Sequence, residues 1–361
     1  MKGPEKSIFT VILMLLLVSC SSSDSDSNEG ESSGWLIPFD EVQDGGPGKD
    51  GIPSIDTPVF VDSSTEEWHA MPARVLVVGI IDNGVAKAYP HHILNWHEVV
   101  NDNTEGSHIT LSYCPLTGSA ISWQNSAVTG ANKTFGVSGL LYNSNLILYD
   151  RATDSNWSQM QIRAVSGSQS GTDLTERLIQ NVETTWEQWQ AWYPDSLLLS
   201  AEQGFSRNYN NYPYGDYLRS SRLLFEVDNS DDTRMHPKQR ALGIITESEV
   251  KVYQISEFMD DIDVINDTVG GEAMVVIGSR MQGFGIAFSS QLSDGSTLEF
   301  TAVQDGTLFH LEDQNGEHWN LHGEGVSDGV QGQQLTMAKH YIAFWFSWAA
   351  FFGDVNIHQF N

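Results

Sequence analysis

Short runs of alternating or β-branched residues make up much of the chain. Residues 74–82, 85–89, 108–113, 120–123 and 146–149 are of this kind, and Gly, Asn and Asp stand between them. A period of two turns one face of each run toward a core, so these stretches predict strands joined by tight turns. Residues 92–100, 184–193 and 342–352 follow another rhythm. Their apolar and aromatic side chains return every three or four positions, which predicts short helices. The expected class is α+β, rich in strand, with few and short helices.

The pattern also repeats. Val78-Gly79-Ile80-Ile81 with Lys87-Ala88-Tyr89 returns as Leu242-Gly243-Ile244-Ile245 with Lys251-Val252-Tyr253. Val99-Val100-Asn101-Asp102 returns as Val264-Ile265-Asn266-Asp267, Trp157 as Trp319, and Trp189-x-x-Trp192 as Trp345-x-x-Trp348. An ordered series of matches over the whole length predicts two related β-rich units, 51–215 and 216–361, from an internal duplication.

The N-terminus has a different character. Lys2 and Lys6 precede an apolar run from Ile8 to Val18, and Leu17-Val18-Ser19-Cys20 places small residues before a cysteine. This predicts a lipoprotein signal peptide over 1–19, with cleavage before Cys20 and lipidation of its thiol. The Ser- and Asp-rich residues that follow read as an acidic flexible tether over 20–50. Anchoring would then come from acyl chains on Cys20 and place the protein in the cell envelope, on the outer membrane by the Ser at position 21. The other strongly apolar stretch, 341–352, is too short to span a bilayer and suits a buried helix.

Composition narrows the partners. With 18 Lys and Arg against 47 Asp and Glu, the formal charge is -29, a sign that repels phosphate backbones, so nucleic acid is not expected. Of two cysteines, Cys20 is the lipid acceptor, which leaves Cys114 without an intramolecular disulfide partner.

Familiar enzyme signatures are incomplete. His97-Glu98-Val99-Val100-Asn101 opens like a zinc-protease helix but has Asn where the second histidine belongs, and neither a G-x-S-x-G elbow nor a phosphate-binding glycine loop is present. Comparison of the two repeats singles out three side chains that the shared pattern does not require: His97 opposite Ile262, Cys114 opposite Ser279, and His236 opposite Pro72. A thiolate and two imidazoles, with the Met235 thioether beside them, would suit copper or zinc. The same cysteine with His97 would alternatively make a nucleophile and its base. Each residue also has an ordinary structural explanation, since inward histidines and free cysteines are common in cores. Asn143, Asn145, Trp157 and Trp189 would suit a carbohydrate or protein surface, but most of the aromatics recur in both units, which favours packing.

Several long motifs resemble a known bacterial family. They are Asp50-Gly51-Ile52-Pro53-Ser54-Ile55-Asp56, residues 88–98 from Ala88-Tyr89-Pro90 to Trp96-His97-Glu98, Tyr113-Cys114-Pro115-Leu116-Thr117-Gly118, residues 135–144, Tyr149-Asp150-Arg151, Met235-His236-Pro237-Lys238 and Phe344-Trp345-Phe346-Ser347-Trp348. The chain resembles domain-of-unknown-function family 3179 over nearly all its length beyond the tether. The resemblance implies exported, uncharacterised relatives and carries no activity. Many of those relatives have a second cysteine where this chain has Thr117, so a dithiol cycle is not expected here. The residues favour a membrane-anchored binding or scaffold module without enzymatic activity; a metal-binding protein and a cysteine-nucleophile enzyme are the alternatives.

Overall fold

Hairpins dominate the architecture. In the computed structural model, which describes residues 34–104, 108–125, 134–305 and 308–360, Leu76–Asp82 (β1) and Val85–Pro90 (β2) pair antiparallel. Their link, Asn83-Gly84, has positive φ at both positions, 51° and 80°, the conformation that matches the twist of a two-residue hairpin. Helix His91–His97 (α1) follows, then an antiparallel sheet of Val99–Asp102 (β3), Ile109–Cys114 (β4) and Ser119–Gln124 (β5). A third antiparallel group contains Phe135–Tyr142 (β6), Asn145–Asp150 (β7) and Asn156–Ser158 (β8). Asn181–Thr185 (β9) then returns to pair antiparallel with β1, helix Trp186–Trp192 (α2) packs over it, and Leu197–Leu199 (β10) lies parallel to β2.

The second half is connected in the same order. Arg240–Ile245 (β11) and Val250–Gln254 (β12) form the hairpin. Asp263–Val269 (β13), Glu272–Ser279 (β14) and Phe284–Ser289 (β15) form the next sheet, and Phe300–Asp305 (β16), Leu308–Asp313 (β17) and His318–Trp319 (β18) the third. His340–Phe344 (β19) returns antiparallel to β11, helix Trp345–Phe352 (α3) follows, and Asn356–Ile357 (β20) lies parallel to β12.

Side chains correspond as well as strands. Trp157 and Trp319 each donate through Nε1 to an aspartate on the preceding strand, Asp150 at 2.9 Å and Asp313 at 3.1 Å. Asn101 exchanges two hydrogen bonds with the Phe135 backbone, and Asn266 does the same with Phe300. Tyr89 and Lys87 meet on Asp102, as Tyr253 and Lys251 meet on Asp267. Each pair fastens a hairpin to the sheet after it.

The class is α+β and rich in strand, as the alternating runs predict. The helices are shorter than their periodicity suggests. Residues 99–100, expected in a helix, form part of β3, because β-branched valines fit a pleated surface and Glu98 turns left-handed before them. Residues 184–185 and 342–344 likewise close strands β9 and β19 before helices begin at the tryptophans. None of the described helices is long and apolar enough to cross a membrane. The signal peptide and tether residues 20–33, Cys20 among them, lie outside the described residues; Gln43–Asp44, expected in the flexible tether, instead pairs antiparallel with Leu140–Leu141 of β6 because its backbone groups bond to that strand edge.

The two halves share their cores. One buried cluster joins Cys114, Leu116 and Trp157 to Ala241, Trp345 and Trp348, and another joins Val77, Trp186 and Trp189 to Val275, Phe284 and Trp319. The contact is reciprocal: Phe344 N–H donates to Thr117 O at 2.7 Å, and Thr185 N–H donates to Gln282 O at 3.1 Å. Residues 34–361 accordingly cluster as one compact unit. Between the halves, residues 200–239 run as a long strap with only a single 3₁₀ turn at Tyr217–Arg219.

Candidate functional site: an apolar cavity with a buried carboxyl

Helix α1 ends abruptly. Its capping residue, Glu98, takes a left-handed conformation (φ 57°, ψ -27°), donates its N–H to Leu94 O, and accepts at its carbonyl from Tyr113 N–H. Non-glycine residues seldom adopt this region, and here it permits an immediate reversal from helix into β3. The neighbouring strand β4 ends at Cys114, and Pro115 to Gly118 form a tight turn closed by Gly118 N–H on Cys114 O. Gly118 has φ 60°, and a Cβ there would meet the Phe344 ring at 2.7 Å, so the turn needs glycine on both counts. Glu98 and Cys114 thus come to one end of the β3–β5 sheet.

A cavity of about 510 Å³ opens there. Leu116, Val137, Leu141 and Leu146 form its apolar wall, with Glu98 and Cys114 among them. The strap supplies the opposite side through Pro213, Tyr214, Leu224 and Phe225, with exposed Arg207 at the edge. Tyrosine hydroxyls pin the strap: Tyr214 donates to Glu98 Oε1 at 3.0 Å, Tyr212 to Pro115 O at 3.3 Å and Tyr217 to Leu116 O at 2.9 Å.

Burial sets the protonation of both groups. Glu98, 5% exposed, has its carboxyl pushed up to about 7 by loss of hydration, offset in part by the Tyr214 hydroxyl. Among the described residues, Tyr214 is its one side-chain hydrogen-bond partner, which leaves the second carboxyl oxygen unengaged. Burial pushes the Cys114 thiol up to about 11, and the Glu98 charge adds to this. The Thr117 hydroxyl and the N–H groups of Thr117 and Leu146 act in the opposite sense and favour a sulfur anion. The resting pair is a neutral thiol, its S–H directed at Ser144 O at 3.7 Å, beside a carboxyl poised near neutrality.

The expected metal set does not assemble. His97 is fully buried with both ring nitrogens occupied: Nδ1 donates to Pro53 O at 2.8 Å, and Nε2 accepts from the Tyr209 hydroxyl at 2.7 Å. Pro53 O can only accept, so this arrangement selects the neutral Nδ1–H tautomer, and burial lowers the pKa of the ring. His97 is therefore a satisfied core histidine that holds the strap. His236 is exposed and accepts from Lys238 N–H, while Met235 lines a separate cavity with Gln254 and His358. Among the described residues, no three His, Cys, Asp or Glu side chains converge to hold a metal ion. The Cys114, His97, His236 and Met235 grouping follows from asymmetry between the repeats, which marks what is special to one half without making those residues neighbours.

Glu98 carries little signal of its own in the sequence, where it stands out only as part of an incomplete zinc motif. A usable signal lies in the strap, where Tyr209, Tyr212, Tyr214 and Tyr217 have no counterpart in the second half. The equivalent end of the β13–β15 sheet has Ser279 at the strand position of Cys114, beside a cavity of about 300 Å³ lined by Asp260, Asp261 and Ile262. The apolar cavity beside Glu98 is larger than this one.

No curated protein and no solved structure matches the chain. A family model described as a protein of unknown function, DUF3179, matches residues 49–355, a span that contains the cavity's Glu98 and Cys114. The chain belongs to the DUF3179 family.

Proposed function

We propose that this protein is a binding module of the cell envelope, held to a membrane by lipid on Cys20, that takes a small, mostly apolar molecule into the cavity beside Glu98. One observation carries the reading: a cavity of about 510 Å³ whose wall is apolar apart from a few polar groups around a single buried carboxyl. Such a volume lies in the range of small-molecule sites, where apolar walls supply affinity and a few polar groups fix orientation. Glu98 would accept or donate a hydrogen bond to the ligand's polar end, and Arg207 at the edge would favour an anionic group there. The lipid anchor is supported by the pattern around Cys20, and the apolar ligand by the walls.

The test uses the full chain and the fluorescent fatty acid cis-parinaric acid. Saturable binding of one equivalent is expected, with at least tenfold weaker binding in Leu224→Asp, which places a charge on an exposed strap residue at the cavity wall. Failure of the wild-type chain to bind, or equal affinity in the variant, would sink the proposal.

A further inference from the structure

We infer that Cys114 and Glu98 act together as nucleophile and base, so that an acyl ester entering the cavity transfers its acyl group to the cysteine sulfur. This rests on the cavity being the ligand site, and it specifies the ligand's chemical class. Three features that do not depend on one another support it. Both side chains stand on the wall of the same cavity. The Glu98 carboxyl is only 5% exposed, yet keeps one oxygen without a protein partner among the described residues. Finally, the Thr117 hydroxyl and the N–H groups of Thr117 and Leu146 offset part of the rise that burial and the Glu98 charge impose on the thiol.

Glu98 is held in a left-handed conformation that a β-branched or bulky residue would resist, and such conformations persist where the surrounding structure enforces them. Cys114 is the only cysteine among the described residues, so the thiol lacks a disulfide partner there. Apolar walls fit an acyl chain, and the carbonyl carbon at its end is the electrophile that a sulfur nucleophile prefers in this setting.

The step balances without an added oxidant or reductant. At rest the S–H is directed at Ser144 O, so the thiol first turns from that carbonyl toward the cavity; its proton then passes to a Glu98 carboxylate oxygen as the Sγ–C bond forms at the ester carbonyl carbon. The C–O bond to the alcohol then breaks, and the departing oxygen takes the proton back from Glu98. A thioester on Cys114 and a free alcohol result. Because the thiol is neutral at rest, attack and proton transfer are concerted, and Glu98 must be ionised when they begin.

The full chain is mixed with p-nitrophenyl octanoate while nitrophenolate release and intact mass are followed, and cis-parinaric acid binding is measured in parallel. A burst of one equivalent is expected, with an added octanoyl group mapped to Cys114. Cys114→Ala should abolish the burst and keep probe binding; Glu98→Gln should slow the burst at least tenfold at saturating ester. The wild-type burst rate should rise with pH as Glu98 ionises. Probe binding without a burst would overturn this inference and leave the binding reading standing. A burst that survives Cys114→Ala, or an adduct on another residue, would overturn it too. Absence of both probe binding and burst would remove both readings.

Discussion

Glu98 shows how one buried side chain couples protonation to folding. Its carboxyl is raised from an ordinary value of 4.5 to about 7 because burial removes the hydration that an anion needs. Between those values the folded chain binds more protons than the unfolded chain, so this group's contribution to stability falls as pH rises through the window. Glu98→Gln retains an acceptor for the Tyr214 hydroxyl and cannot ionise. The variant should match the wild type below pH 4.5 and exceed its stability by about 3 kcal/mol above pH 7, since each tenfold change in proton affinity is worth about 1.4 kcal/mol. Urea unfolding at both ends of the window measures this; equal stability of the two chains throughout would show that the carboxyl is well hydrated. His97 is the opposite case. Neutral, and hydrogen-bonded at both nitrogens, it stands out in the sequence because its partner in the other repeat is Ile262, and what that difference encodes is a tie to Pro53 and Tyr209.

At the scale of elements, alternation is enough to locate the hairpins, because a strand covered on one face leaves a period-two trace. It fails where two elements meet without a turn between them. Val99 and Val100 continue the three-and-four spacing of α1, yet the backbone reverses at Glu98, and a left-handed non-glycine residue leaves no mark in the sequence pattern. The helices α2 and α3 reveal a second constraint. Each places a tryptophan flat on the glycine of a β-strand: a Cβ on Gly79 would lie 2.2 Å from the Trp189 ring, and a Cβ on Gly243 would lie 2.2 Å from the Trp348 ring. The glycine and the tryptophan are separated by about a hundred residues, and their contacts pair Trp189 with Trp348 and so Trp186 with Trp345, three positions from the expected match of Trp189 to Trp345. Gly243→Ala must move Trp348, which also stacks on Tyr341 at 4.6 Å between ring centres. A loss of about 3 kcal/mol is expected from such overpacking, read as a lowered Tm in calorimetry. A variant as stable as the wild type would mean that α3 shifts freely on its sheet.

Taken whole, the molecule departs from the picture of two units in a row. Boundaries at 51–215 and 216–361 follow the repeat in the sequence, but packing does not respect them: Trp345 and Trp348 lie in the cluster that contains Cys114, and Trp186 and Trp189 in the one that contains Trp319. Sequence periodicity reports connectivity within each half, whereas the reciprocal bonds of Phe344 to Thr117 and Thr185 to Gln282 depend on how the halves meet. A fragment of residues 34–215 would expose the apolar surfaces that Trp345 and Phe284 cover, so it should lack the near-ultraviolet circular dichroism of packed aromatics, and the full chain should unfold in one transition. A folded fragment with native aromatic signals would contradict the shared cores. The strap over the cavity has a separate consequence for how such a protein diversifies. Because residues 200–239 pass between the halves without a paired strand, held by tyrosine hydroxyls, side-chain bonds and the apolar packing of Leu223, Phe225 and Val227, changes at the strap positions that line the cavity would reshape it while the paired strands stay as they are. Selection acting on this single connection could retune what the cavity admits, generation by generation, on an inherited frame that need not change.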